Sequence, residues 1–157
     1  MNIKKLLEIM SIAEKLKNNT RHSWTSSNRH ESVAEHSWRL SLMAYLVKDE
    51  FPDADINKVI LMCICHDLGE AITGDIPAFY KTEKDEIVEN KEIIRLISNL
   101  PEPYKKELSE LFLEMSEQKT IESKIYKALD KMETLIQHNE ADISTWLPLE
   151  YALNLTY

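Results

Sequence analysis

Only two glycines occur in the 157 residues, Gly69 and Gly74, and both fall in the stretch Cys63 to Pro77, CICHDLGEAITGDIP. A chain this poor in the residue that supplies left-handed turns cannot make the many tight reversals of an all-β fold. Long helices suit it better. The apolar residues agree, recurring at three- and four-residue intervals almost throughout. A first stripe runs Ile3, Leu6/Leu7, Met10, Ala13, Leu16 and stops at the polar Lys17–Thr20. Arg21 to Glu31 is polar, with Trp24 its lone large apolar residue. Ser32, with Glu35 three residues on, reads as a capping box. The helix it opens carries Val33, His36, Leu40, Met43/Ala44 and Val47 on one stripe, so His36 belongs to the buried face. Phe51–Asp55 breaks the chain and caps a third helix near Asp55. Its stripe is Ile56, Val59/Ile60, Cys63, His66/Asp67, Glu70. A charged helix from Thr82 to Ser98, another after Pro101 and Pro103, and a long one from Thr120 complete the series. The expectation is an all-α helical bundle, one domain over residues 1–157, with an aromatic tail from Ser144 to Tyr157 docked on its body.

The formal net charge of -8 argues against duplex nucleic acid as a partner, while leaving room for a small phosphorylated ligand. Cys63 and Cys65 stand two apart in an apolar run, a spacing that suits neither a disulfide nor a zinc clip, and they read as small core residues in a reducing compartment. The start, Met-Asn-Ile-Lys-Lys, leads into an amphipathic segment and not into a secretory leader, and no apolar run approaches membrane-spanning length. A soluble, cytoplasmic protein with no membrane partner is expected.

Four residues then stand out on three helices: His36, His66, Asp67 and Asp130. Each lies on or beside an apolar stripe, where an unpaired charge is costly and a metal ion is a common remedy. A lone histidine on an apolar face is more often a hydrogen-bonded core residue. The adjacent His66-Asp67 pair, with Glu70 a turn later, argues against that bland reading. Two imidazoles and two carboxylates suit one divalent ion, whether Mn, Co, Fe, Ni, Zn or Mg, with positions left for water and substrate. Glu70 shares the helix face of His66 and Asp67 and is placed to reach a water there. Glu133 and Lys131, beside Asp130, are candidates for orienting the ligands. His22 and His30 read as solvated loop residues or residues of a pocket mouth, and His138 as a surface or interface residue.

His36, then His66-Asp67, then Asp130 resembles the signature of the HD-domain metal-dependent phosphohydrolases. The segments ESVAEHSWRLSLMAYL (Glu31–Leu46), CHDLGEAITGDIP (Cys65–Pro77) and KALDKMETLIQHNEAD (Lys127–Asp142) are similar to the bacterial 5'-deoxynucleotidase branch. The resemblance implies that His36, His66, Asp67 and Asp130 hold the metal and that Glu70 positions and deprotonates the attacking water. It implies that Asp75 handles the proton of the leaving oxygen, although an aspartate there also serves as a turn residue. Arg21 matches the arginine that holds the phosphate, a residue type that suits any surface loop as well. The branch carries a tryptophan directly after that arginine, implicated in excluding ribose. Here His22 follows Arg21 and the tryptophan is Trp24, which would stack a base, close the pocket or anchor packing. A homodimer is implied too, with Trp146, Tyr151 and Tyr157 of the tail contributing.

The leading expectation is therefore release of phosphate from nucleoside 5'-monophosphates, the deoxyribonucleotides first among them, by a metal-dependent phosphomonoesterase. Another phosphate ester is the first alternative. A cyclic dinucleotide would call for more histidines, and an alarmone or nucleoside triphosphate for more cations than Arg21, with Arg29 and Arg39 nearby. A helical protein that binds metal or nucleotide without turnover is the second, and the presence of both Glu70 and Asp75 argues against it.

Overall fold

The computed structural model describes residues 1–153; Tyr157 lies outside them. Helix α1 (Ile3–Ala13) passes through a 3₁₀ turn, Glu14–Lys17, into a hairpin of β1 (Thr20–Trp24) and β2 (His30–Ser32). Then follow α2 (Val33–Leu46), α3 (Ile56–Cys65), a single turn α4 (Glu70–Thr73), α5 (Glu83–Ser98), α6 (Tyr104–Glu117), α7 (Ile121–Glu140) and a last turn α8 (Glu150–Leu153). The all-α expectation holds, with the small hairpin as its one addition. The polar stretch from Arg21 to Glu31 shows no apolar alternation to announce strands. It pairs antiparallel, Thr20 opposite Ser32 and Trp24 opposite His30, with an irregularity between. Its reversal is made by Asn28, at φ 60, a left-handed conformation that asparagine tolerates.

The helices begin where their capping residues predict. The Ser32 hydroxyl accepts from Glu35 N at 3.2 Å while the Glu35 carboxylate accepts from Ser32 N at 2.8 Å. Asp55 caps α3 through Lys58 N at 3.2 Å, and Thr120 caps α7 through Ser123 N at 3.2 Å. Both devices satisfy amide donors that a helix start leaves without partners. Helices α2, α3 and α7 pack on one another around Leu40, Ala44, Val59, Met62, Cys63, Ile125 and Leu129, with Leu111 and Met115 of α6 covering one side. Both cysteines are buried in this core and unpaired, as expected. A smaller cluster of Leu16, Val33 and Ala71 ties the N-terminal segment to the start of α2 and to α4.

One expectation is corrected. The third helix does not run unbroken to Glu70 but ends at Cys65. Residues 66–69 tighten into i→i+3 bonds, Leu68 N to Cys65 O and Glu70 N to Asp67 O, both at 3.0 Å, before α4 begins. The apolar spacing of three to four cannot separate a helix from a helix with a tightened interruption. The glycines have distinct jobs. Gly69 is helical, and a Cβ there would stand 2.7 Å from Glu89 Cγ and 2.9 Å from Ile93 Cγ1, so it lets α5 approach. Gly74 ends α4 at φ 79 and ψ 162, a region nearly exclusive to glycine. No helix among the described residues is long and apolar enough to cross a membrane.

Candidate metal centre and substrate cavity

The tightened turn after α3 presents His66 and Asp67 to α2 and α7. His66 Nδ1 lies 2.9 Å from the Cys63 carbonyl, to which it donates. That bond places a ring proton on Nδ1 and leaves Nε2 to face its neighbours as donor or as ligand. Nε2 is buried and faces Asp67 Oδ2 at 3.0 Å and Asp130 Oδ1 at 3.7 Å. A divalent cation among these atoms would take the place of a proton between the ring and the carboxylates. Across from it, His36 on α2 is fully buried, its Nε2 3.1 Å from Asp130 Oδ1 and its Nδ1 2.5 Å from Glu133 Oε2. Ligand atoms of His36, His66 and Asp67 all lie within 4.8 Å of one another. The donor set fits a divalent cation, and the Glu133–His36 bond is the carboxylate–histidine pairing that orients metal-binding imidazoles.

The titrations follow from this crowding. Burial disfavours charge on His36, but its hydrogen bonds to Asp130 and Glu133 outweigh that and hold it up at about 9. Burial pushes the Asp67 carboxyl up, yet the adjacent His66 and His36 pull it down to about 2. Asp130 is likewise held well below the usual carboxylate range by His36, His66 and Lys127 against the effect of burial. Glu70 goes the other way. Buried, and beside the carboxylates of Asp67, Asp75 and Glu89, it rises to about 9, with Lys81 opposing. Its Oε2 has no hydrogen-bond partner among the described residues, while its backbone carbonyl accepts from the Asn19 side chain. Asp75 also rises, through burial first, with Arg21 opposing.

These groups form one end of a cavity of about 450 Å³, lined by Asp67, Glu70, Asp75, Asp130 and Arg21. Arg21 extends from β1 and donates from Nη2 to Thr134 Oγ1 on α7 at 3.1 Å. Its Nη1 is buried without a hydrogen-bond partner among the described residues. Burial works against its charge, but Asp67, Glu31, Asp130 and Asp75 surround it and keep it firmly protonated. The hairpin thus carries an arginine beside the Asp67 and Asp130 carboxylates, although nothing in its sequence announces the strand.

Trp24 does not line the cavity. Its ring lies on His30, centroids 4.1 Å apart, and its carbonyl accepts from Gln137 Nε2 at 2.7 Å. The tryptophan that lines the cavity is Trp146, whose Nε1 donates to the His138 carbonyl at 3.0 Å. His22 and His138 line it too: His22 follows its pocket-mouth reading and not its solvated one, and the surface reading of His138 is corrected. The cations differ from expectation as well. Arg29 pairs with Glu35 and Arg39 with Gln137 and Glu140, whereas Lys81, Lys127 and Lys131 join Arg21 along the cavity. Lys127 Nζ holds Asp130 Oδ2 at 2.9 Å, and Lys81 holds Glu89 at 2.5 Å. Glu31 is a further residue that the sequence did not mark. It is buried 3.9 Å from Arg21 Nε, and burial and the Glu133 carboxylate raise it to about 7. Only its place before the Ser32 cap hinted at it.

A family model described as HD domain matches residues 13–157. Human 5'-deoxynucleotidase HDDC2 is 34% identical over 139 residues, spanning 86% of this chain and 67% of the relative. The Schizosaccharomyces pombe 5'-deoxynucleotidase hdd1 is 28% identical over 167 residues, spanning 93% of this chain and 83% of the relative. A crystal structure of a predicted metal-dependent phosphohydrolase from Magnetospirillum magnetotacticum superposes with a TM-score of 0.79 at 28% identity, over 88% of this chain and 71% of that one. With the histidine–aspartate pair after α3 meeting the histidine of α2 and the aspartate of α7, the chain belongs to the HD domain family.

Proposed function

We propose that this chain, as one HD-domain unit over residues 1–157, is a metal-dependent phosphomonoesterase that releases phosphate from deoxyribonucleoside 5'-monophosphates. The observation that carries the reading is His66 Nε2, buried and facing the Asp67 and Asp130 carboxylates, at the end of a cavity that also holds Glu70, Asp75 and Arg21. The names of the relatives support the substrate class. His36, His66, Asp67 and Asp130 would hold the ion. A divalent ion in that set supplies Lewis-acid polarisation of a phosphate oxygen and acidifies a water.

The remaining chemistry falls to side chains. Arg21, kept charged by the carboxylates around it, offsets the phosphate charge and orients it through paired N–H donors. Glu70 takes the proton of the attacking water; its high affinity for a proton makes it a competent base once a cation at the neighbouring carboxylates favours its ionised form. Asp75, raised by burial, carries a proton to the ester oxygen that leaves. The new bond joins water oxygen to phosphorus, the bond to the 5' oxygen breaks, and nucleoside and inorganic phosphate result. The buried, unpaired cysteines and the acidic net charge support a cytoplasmic setting without a nucleic-acid partner.

The test is phosphate release from ribo- and deoxyribonucleoside 5'-monophosphates by metal-stripped protein resupplied with Mn, Co, Mg or Zn. Metal-dependent release, abolished in Asp67→Ala and reduced at least about 100-fold in Glu70→Ala, is expected. Release only from a nucleoside triphosphate, or from no substrate with any metal, would overturn the reading.

A further inference from the structure

The cavity continues away from the metal-binding end into a wall that phosphate chemistry does not use. Four rings follow one another along it. Phe79 meets His22 edge-on at 5.6 Å, His22 lies 6.1 Å from His138, and His138 meets Trp146 at 5.8 Å. All four line the cavity, and so does Glu150. The Glu150 side chain is only 8% exposed, with Oε1 3.2 Å from His22 Nε2 and 3.6 Å from His138 Nε2. Its Oε2 accepts from Leu147 N at 2.6 Å, which fixes the carboxylate plane. Among the described residues, His22 Nε2 is buried and makes no hydrogen bond despite that proximity. A carboxylate that merely capped the last turn would stand in water, because burying it is costly without good partners.

Helix α7 supplies a ruler. Asp130, Thr134 and His138 lie on successive turns of one face. Asp130 belongs to the metal-ligating set and Thr134 holds Arg21, the phosphate ligand. His138 is a little over two turns beyond Asp130, about 12 Å along the axis. That separation matches a nucleoside monophosphate laid along the helix, phosphate at Asp130 and Arg21, base at His138.

Resting on the nucleotide reading of the site, we infer that this end of the cavity reads the base, with Glu150 accepting hydrogen bonds from the N1–H and 2-amino groups of guanine. Guanine is the one neutral base with two adjacent N–H donors on one edge, the complement of a carboxylate. Its neighbouring O6 is an acceptor for an imidazole N–H from His22 or His138. Burial lowers the proton affinity of His138, against the pull of Glu150, which keeps it neutral beside the base. The rings supply the apolar faces that a base stacks on.

Glu150→Gln separates reading from packing. The amide keeps the shape and an acceptor for Leu147 N, but replaces one acceptor with a donor. It therefore complements the donor–acceptor edge of adenine better than the donor–donor edge of guanine. The expected result is a fall of at least about tenfold in the ratio of kcat/KM for dGMP to that for dAMP. The same shift is expected in calorimetric binding of 2'-deoxyguanosine and 2'-deoxyadenosine, which needs no turnover. His138→Asn is expected to narrow the same ratio. Equal losses on both bases, or parent protein with no preference for deoxyguanosine, would overturn the inference. Nucleoside binding that shifts as expected, in protein that releases no phosphate, would uphold the base subsite and refute the phosphomonoesterase reading.

Discussion

Glu133 is an acidic side chain with no access to water, and His36 is the reason it can be there. One of its oxygens lies 2.5 Å from His36 Nδ1, and the other has only the Arg39 Nε at 3.6 Å. Held this way, His36 can turn only Nε2 toward Asp67, His66 and Asp130. Glu133→Gln keeps the shape and loses the charge that fixes the ring. It is expected to weaken metal binding about 10- to 100-fold. Calorimetric titration of metal-stripped protein with Mn or Co checks this, and an affinity equal to the parent's would refute the orienting role. Glu133 could be suspected from the sequence because it sits one turn from Asp130 on the same helix. His22, His138 and Glu150 could not. Their shared wall is assembled from β1, α7 and the last turn, and no spacing along the chain brings those three together. Trp24 fails for a related reason. It shares a strand with Arg21 but stands three residues on, directly opposite His30, and its ring lies on that partner instead of in the cavity.

At the scale of elements, what is local was legible and what is not was hidden. Ser32, Asp55 and Thr120 announce helix starts because a cap needs only the next three residues. The hairpin needs Thr20 to find Ser32 across a polar loop, and the break after Cys65 leaves the apolar period intact. The segment after that break depends on both glycines, for different reasons. Gly69→Ala would push a methyl into Glu89, whose stem is tethered by Lys81, and into Ile93. A loss of about 1–3 kcal/mol is expected in urea unfolding, partly recovered in the Gly69→Ala/Glu89→Ala double variant. Gly74→Ala meets no atom within 4 Å, so its cost is backbone strain of about 1–3 kcal/mol, with no neighbour whose truncation relieves it. Recovery of both variants by Glu89→Ala would refute this division. The cap of α2 has a pH signature. Hydrogen bonds from Arg29, and then the Ser32 backbone and hydroxyl, outweigh burial and bring Glu35 from 4.5 to about 2. A carboxyl depressed in the folded state contributes stability above its unfolded pKa and loses it as pH falls through the folded one. Arg29→Ala should therefore be less stable than the parent at pH 6, and the gap should close between about pH 4.5 and 2. A gap that stays constant over that range in denaturant titrations would exclude Glu35 as its source.

For the whole molecule, the carboxylates of Asp67 and Asp130 are held without metal, against burial, by the groups around them. His66 and His36 draw Asp67 down to about 2, and His36, His66 and Lys127 keep Asp130 well below the usual carboxylate range. Asp67 lies in the turn after α3 and Asp130 on α7, and both face His66 Nε2 in a buried site. Lys127 holds one oxygen of Asp130 and His36 the other. The three elements that converge there, α2, the turn after α3, and α7, are also the ones whose apolar faces make the main core. An ion at their meeting point would join the same elements that the core joins, and its binding free energy would add to the stability of the entire fold. With metal present at a hundredfold over its dissociation constant, the gain is about 2.7 kcal/mol. In a chain of this length that amounts to a rise of roughly 5–11 °C in Tm. Scanning calorimetry of metal-stripped protein against increasing Mn or Co should show the rise. Asp67→Ala should show a flat profile instead, beginning below the Tm of the stripped parent, because a carboxyl that His66 and His36, against burial, draw down to about 2 stabilises the metal-free fold at neutral pH. A parent Tm that ignores every divalent ion would mean that the cluster is held by protons alone. A stripped Asp67→Ala protein as stable as the stripped parent, or more so, would mean that the two imidazoles do not hold Asp67 in the metal-free fold.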